Sequence, residues 1–406
     1  MNLTKNTEST KKNQPLPHAL PLESGTTSMI SGDNFLVLPN PSSKKLVILF
    51  SGTFKNGGRF DFWNVAQTLK LDANVLLLNN GKNQWYQQGI PDFGKSLSDS
   101  ITYIQDLAKK LNTSEIYTIG VSMGGFGATL FGRGLNAKVL AFGIDSLVCI
   151  PGSRSLKSMH PSTKIAQPDL KPLLSRSKLD LTLIVGEMDI LDLYGAARIS
   201  SIPGVKTISV RGMDHGGGRY IDKTQGLASF IKCFIEDNPL PTLSEEGNAL
   251  NYPELIEKLY RAHCLGLEGE WEESLELLTP LVAKHPMSEI AHYSLALTLL
   301  KLKKYDEARK HLCFVAAMIP YFVSGRFYLA YCLRMEKQYL AALHLFLEQL
   351  KEKPESAPTL FNVGLLHLSL GDQKKALPFI RKAVEVQPNK EIYSKKLESL
   401  TKNNKK

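Results

Sequence analysis

Between residues 35 and 237 the chain alternates short apolar runs with amphipathic stretches. The runs are Phe35–Leu38, Leu46–Phe50, Val75–Leu78, Ile116–Gly120, Val139–Ile144, Leu181–Val185 and Lys206–Val210. Each is too short for a helix and rich in branched side chains, so each predicts a strand. Asp61–Leu71 and Lys95–Leu111 carry the helical period instead. Strands alternating with helices predict an α/β fold around a mostly parallel sheet. Runs as uniformly apolar as LVILF suit a sheet covered on both faces.

From residue 253 the pattern changes to helical periods only, and it repeats. Pro286, Pro320, Pro354 and Pro388 are spaced by 34 residues, which sets units at 255–288, 289–322, 323–356 and 357–390. Each unit places Trp271, Tyr305, Tyr339 or Gln373 at the turn between its helices. A small residue follows three positions later: Ser274, Ala308, Ala342, Ala376. Small residues are needed where paired helices cross closely, and the prolines end the second helix. The pattern resembles the tetratricopeptide repeat, which implies an all-α solenoid over 253–400, with a capping helix after the fourth unit. Lys303 and Lys337 depart from it, standing where Gly269 and Gly371 supply the usual turn glycine. The Pro, Ser, Glu and Asn content of 238–252 reads as a linker. Residues 1–34 read as a polar flexible segment and 401–406 as a basic tail.

Candidate chemistry centres on Gly120-Val121-Ser122-Met123-Gly124, which joins an apolar run to a small-residue helix. G-x-S-x-G between strand and helix is a nucleophile elbow: the sharp turn needs flanking glycines, and the helix N-terminus offers its amides to an oxyanion. Ser122 is the candidate nucleophile. A serine hydroxyl needs a base, and residues 35–237 hold two histidines, His160 and His215. His215 follows the last strand, and the chain order Ser, acid, His of this motif selects it. Asp189, on the loop after Leu181–Val185, is favoured as the acid over Glu187, Asp192 and Asp214. The amides of Met123 and Thr53, with Phe54 second to Thr53, are the oxyanion candidates. Together these features resemble the α/β-hydrolase superfamily over 35–237. The resemblance implies acyl transfer through a covalent acyl-enzyme, with no metal or organic cofactor.

Composition adds limits. The chain has 406 residues and a net charge of +10. Six basic side chains against one acid lie in 147–178, and the Lys-rich C-terminus carries more, so the excess reads as solvated charge rather than a nucleic-acid surface. The 147–178 block stands where such folds carry a lid; its basic character favours an anionic or carbohydrate-bearing ester over a triglyceride. Trp85 and Tyr86, set among amides, are candidates for a sugar-stacking wall, or for packing. The run from LFSGT through WYQQG to GVSMGGFGA is similar to bacterial serine enzymes that transfer or remove O-acetyl groups on surface glycans. No apolar stretch is long enough to span a membrane, and the first 28 residues lack the apolar core of a secretory signal. The five cysteines form no C-x-x-C pair and read as buried, reduced thiols. The expectation is a cytoplasmic serine ester or thioester hydrolase whose repeats bind a protein or peptide in their groove. The alternatives are an acyltransferase with the same triad, or a non-catalytic interaction protein.

Overall fold

The computed structural model of the chain describes residues 28–53, 58–70, 72–176, 178–215, 217–243 and 245–403. Phe54, most of 1–34 and the end of the basic tail lie outside the described residues. Eight strands are β1 (Ile30–Ser31), β2 (Phe35–Leu38), β3 (Lys45–Phe50), β4 (Asn74–Leu78), β5 (Glu115–Val121), β6 (Lys138–Phe142), β7 (Leu181–Gly186) and β8 (Val205–Val210). They form one sheet in the order β1-β2-β4-β3-β5-β6-β7-β8. β3 runs parallel to β4 and β5, while β1 and β2 pair antiparallel at one edge. Leu46–Phe50 and Val75–Leu78 are completely buried, as two-faced coverage demands. Only the two-residue β1 had no apolar run to announce it. The helices of this region are α1 (Trp63–Leu69), α2 (Leu97–Lys110), α3 (Met123–Leu135), α4 (Arg154–Ser158), α5 (Leu170–Ser175), α6 (Ile190–Ala197), α7 (Gly217–Gln225) and α8 (Leu227–Ile235). Ser96 caps α2 by accepting from the Asp99 amide, and Lys109 and Lys110 close its last turn.

The repeat helices pair as the 34-residue period predicts: α9 (Pro253–Glu268) with α10 (Trp271–Lys284), α11 (Glu289–Lys301) with α12 (Tyr305–Met318), α13 (Val323–Met335) with α14 (Tyr339–Glu352), and α15 (Ala357–Ser369) with α16 (Gln373–Val386). The capping helix is α17 (Glu391–Asn403). Ser274, Ala308, Ala342 and Ala376 are buried at the crossings. His285, Ile319, Lys353 and Gln387 each end a second helix immediately before a proline, with φ between −125° and −136° and ψ between 66° and 76°. The pyrrolidine ring forces this exit from the helical region. Pro280 and Pro378 are carried inside α10 and α16.

The turn lysines adopt the conformation of the glycines they replace. Lys303 has φ 60° and Lys337 φ 62°, against 91° and 81° for Gly269 and Gly371. A β-carbon is strained there. Lys303→Gly and Lys337→Gly should each stabilise the protein by about 0.5–1 kcal/mol. Thermal unfolding of the double variant should show a higher midpoint; an unchanged or lower one would mean the lysines contribute more than their backbone costs.

The described residues form two compact units. One gathers those up to Ala141 with Ser158–Thr182 and Gln225–Leu240. The other gathers Phe142–Lys157, Leu183–Thr224 and those from Pro241 onward. The division therefore cuts through the α/β region rather than falling at 238–252. The reason lies in the second unit's bonds. Arg211 donates from Nε to Glu289 of α11 (2.6 Å), Tyr194 stacks on Tyr260 of α9 (ring centroids 4.0 Å), and Tyr321 donates to the Arg211 carbonyl (3.3 Å). The linker itself is stitched down, with the buried Glu187 accepting from Ser209 Oγ (2.8 Å) and the Ala249 amide (2.6 Å). All five cysteines are free thiols. Cys264 and Cys332 are buried, but Cys313 is exposed, contrary to the expectation of uniform burial. Among the described residues no helix is long and apolar enough to cross a membrane.

Candidate functional site

The elbow lies in the first unit. Ser122 holds φ 59° and ψ −123°, between the end of β5 and the start of α3. Such a conformation costs a non-glycine residue about 1–3 kcal/mol and persists only where its surroundings impose it. They do so through close contact: a β-carbon at Gly124 would collide with the Phe50 carbonyl, so the first turn of α3 sits directly on the end of β3. Met123 is buried as the first residue of α3, whose opening turn presents unshared amides. The loop after β3 passes beside the elbow, since a β-carbon at Gly52 would stand 3.5 Å from the Val121 carbonyl. The Gly52 amide is engaged with Asp61 Oδ2 (2.8 Å), and the half-buried Thr53 follows it.

A histidine–carboxylate pair lies in the second unit. His215 Nδ1 is 2.9 and 3.0 Å from the two carboxylate oxygens of Asp192. A carboxylate accepts only, so Nδ1 carries the proton and Nε2 is left as the basic nitrogen. Burial depresses the imidazole pKa, but the charge and hydrogen bond of Asp192 outweigh it, and the net shift is upward. Gly143, after β6, makes room for the pair: it has φ 49°, and a β-carbon there would strike the Asp192 carboxylate and stand 3.0 Å from His215 Nδ1.

Asp189, the acid favoured from the sequence, is placed otherwise. Its Oδ1 caps α6, accepting from the Leu191 (3.1 Å) and Asp192 (3.0 Å) amides. Its Oδ2 pairs with Arg154. Asp192 stands one turn into the same helix and is the residue that meets the imidazole. Asp-Ile-Leu-Asp at a helix start is the available signal: it marks the first aspartate as a cap committed to backbone amides. Arg154 was legible only as one member of the basic block. His160 is tied into its own turn, with Nδ1 2.8 Å from Ser162 Oγ. Trp85 and Tyr86 are 1 % and 0 % exposed, and Tyr86 donates to the Ser51 carbonyl at 2.8 Å. Of the two readings, sugar wall or packing, burial leaves packing.

The donor atoms of Asp189, Asp192 and His215 lie within 4.8 Å of one another, a spacing that would suit a metal ion. The Arg154 guanidinium donates to both carboxylates, so the cation they need is already covalently supplied. The donor set therefore does not fit a metal. Asp189 and Leu191 also line a cavity of about 580 Å³ in this unit, walled by repeat residues that include His263, Trp271, Tyr293 and Tyr328. Lys301 Nζ lies 5.3 Å from the Trp271 ring centroid.

Comparison with known proteins speaks for the repeats. A family model described as anaphase-promoting complex, cyclosome, subunit 3 matches residues 252–315, and a tetratricopeptide repeat model matches 357–390. The C-terminal region is a tetratricopeptide repeat array, a class of interaction module. Neither match reaches the α/β region. No curated protein matches the chain. Among solved structures, residues 41 to the end of MamA from Desulfovibrio magneticus RS-1 are similar at 19% identity, covering 37% of this chain and 85% of that one, with a TM-score of 0.35. MamA MSR-1 is similar at 25% identity, covering 33% and 77%, with a TM-score of 0.31.

Proposed function

We propose that this chain is a serine-dependent acyl hydrolase whose repeats bind a protein partner. The observation that carries the reading is the pairing of His215 Nδ1 with Asp192, which fixes one tautomer and leaves Nε2 basic. The strained positive-φ backbone of Ser122 supports it, because an ordinary strand-to-helix turn has no reason to hold a serine there. In this reading the Ser122 hydroxyl adds to an ester or thioester carbonyl as Nε2 of His215 takes its proton. Asp192 stabilises the imidazolium. The amides of Met123 and Thr53 receive the oxyanion, and the proton passes to the leaving group as the acyl-enzyme forms. Water, or another alcohol in the transferase variant, then releases the acyl group. The basic 147–178 block favours an anionic or glycan-linked ester, and the cavity walled by Trp271 and Tyr293 suits an extended peptide of the partner.

The comparisons favour the second reading, in which the repeats carry the whole function, because every family match falls within them. A fluorophosphonate probe separates the two. Wild-type protein should gain one adduct, localised to Ser122 by peptide mass, and Ser122→Ala should gain none. Folded wild type that takes no adduct removes the enzymatic reading and leaves the interaction protein.

A further inference from the structure

Two carboxylates, Asp192 buried and Asp189 half-buried, converge on one imidazole, and only one of them is bonded to it. Asp192 is 1 % exposed. Burial, and then the neighbouring charge of Asp189, push its carboxyl pKa upward. Left alone, two such carboxylates tend to share a proton, as like charges at close range cannot both stay ionised. An Asp192 holding that proton would no longer stabilise an imidazolium. Arg154, from the first position of α4, enters this cluster with its side chain 24% exposed. One terminal nitrogen pairs with Asp189 Oδ2, and the other lies 3.3 Å from Asp192 Oδ1.

We propose that Arg154 is a positioning residue of the acid–base pair: by bridging Asp189 and Asp192 it keeps both carboxylates charged, so that His215 faces an anion rather than a proton-sharing pair. This rests on the reading of His215 as the base, and it gives Asp189 a role, as the anchor that holds the guanidinium beside Asp192. The cap at the start of α6 fixes that anchor. Other charged or titratable groups near the cluster are Asp145, which accepts from the Ser155 amide (2.8 Å) and adds negative charge near Arg154, Lys157 on α4, and His263 on α9. None of them bonds both carboxylates. Burial works against the guanidinium's charge, yet the two aspartates outweigh it and raise its pKa. Despite its own burial, Asp189 is held below the usual carboxylate range by Arg154 and His215.

The test is a charge cycle read on His215 by imidazole ¹⁵N NMR and, in parallel, on the pH profile of fluorophosphonate labelling. The fully deprotonated cluster carries one net negative charge with Arg154 and two without it, so the variant takes up its first proton at higher pH, and the shared Nδ1–carboxylate contact reports that step whether His215 or the aspartate pair holds the proton. Arg154→Gln should therefore move the acid midpoint up by about one pH unit, a tenfold gain in proton affinity. Asp189→Asn removes a negative charge and should move it down. The double variant should return near wild type, and Arg154→Lys should lie between wild type and Arg154→Gln. A folded Arg154→Gln protein with an unmoved midpoint overturns the proposal, as does a double variant that keeps the full upward shift. Should Arg154→Gln not fold, the downward shift in Asp189→Asn decides, and its absence overturns the proposal. The NMR arm does not need activity. A protein that ignores the probe while its His215 midpoint moves as stated refutes the hydrolase reading and retains the role of Arg154.

Discussion

Asp192→Asn should lower the rate of fluorophosphonate labelling, and kcat on an activated ester such as p-nitrophenyl acetate, by about 10²- to 10⁴-fold, whereas Asp189→Asn should cost less than about tenfold. The contrast follows from what each carboxylate holds. Asn at 192 presents an amide that donates as well as accepts, so Nδ1 is no longer obliged to carry the proton, and an imidazolium would lose its counter-charge. Asn at 189 can still cap α6, since asparagine and aspartate are equivalent helix caps. KM should change little in either variant, because neither side chain is assigned a substrate contact. The Asp192→Asn protein should still unfold in a single cooperative transition, because Arg154 keeps Asp189 as its partner and is not left as an unpaired charge. That separates a chemical role from a structural one. Equal losses in the two variants would return the acid to Asp189, and no loss in either would leave His215 without a catalytic partner.

The sheet was legible because a fully buried strand can be written only in apolar residues, and LVILF has no other reading at that length. The repeats were legible for a different reason. A 34-residue period in proline and small residues marks helix ends and helix crossings, two geometric demands that return with every unit. The elbow was legible because glycines flank a serine at a strand–helix junction. What loop position could not show was the direction of two acids three residues apart. Asp189 and Asp192 both follow the same strand, and loop position alone favours the first. Their roles are divided by helix capping, which fixes Asp189 on the amides of Leu191 and Asp192. Arg154 was hidden for another reason: a long side chain in a basic stretch looks solvated until the fold supplies two aspartates within its reach. Trp85 and Tyr86 were ambiguous because aromatic residues among amides suit a sugar site and a core equally well, and only burial separates the two.

That ambiguity has a large measurable consequence. Tyr86→Ala should destabilise the protein by about 3–5 kcal/mol, the cost of removing a large aromatic side chain from a packed core. Tyr86→Phe should cost about 1–3 kcal/mol, because it removes the hydroxyl that donates to the Ser51 carbonyl. The ring is completely buried and meets Phe50 edge-on at 5.2 Å between centroids and Phe131 at 6.2 Å. Its hydroxyl donates to the Ser51 carbonyl at 2.8 Å and lies 3.3 Å from that of Leu78. It thereby ties the exits of β3 and β4 to the layer beneath them. Burial, with the charge of Asp61 behind it, holds the phenol pKa well above its usual value, so the hydroxyl stays a donor across the working range. Trp85 and Tyr86 both sit at positive φ, 50° and 56°, a strain that bulky residues tolerate only when packing offsets it. Urea unfolding of the two variants reads the effect directly. A stacking residue behaves in the opposite way: Tyr86→Ala would leave the unfolding midpoint in place and weaken only the binding of a glycan ester. A midpoint within about 0.5 kcal/mol of wild type would therefore move Tyr86 from the core back to the ligand. The expected loss instead ties the Ser51–Thr53 loop to the core through a phenol, which acts beside the bond from the Gly52 amide to Asp61.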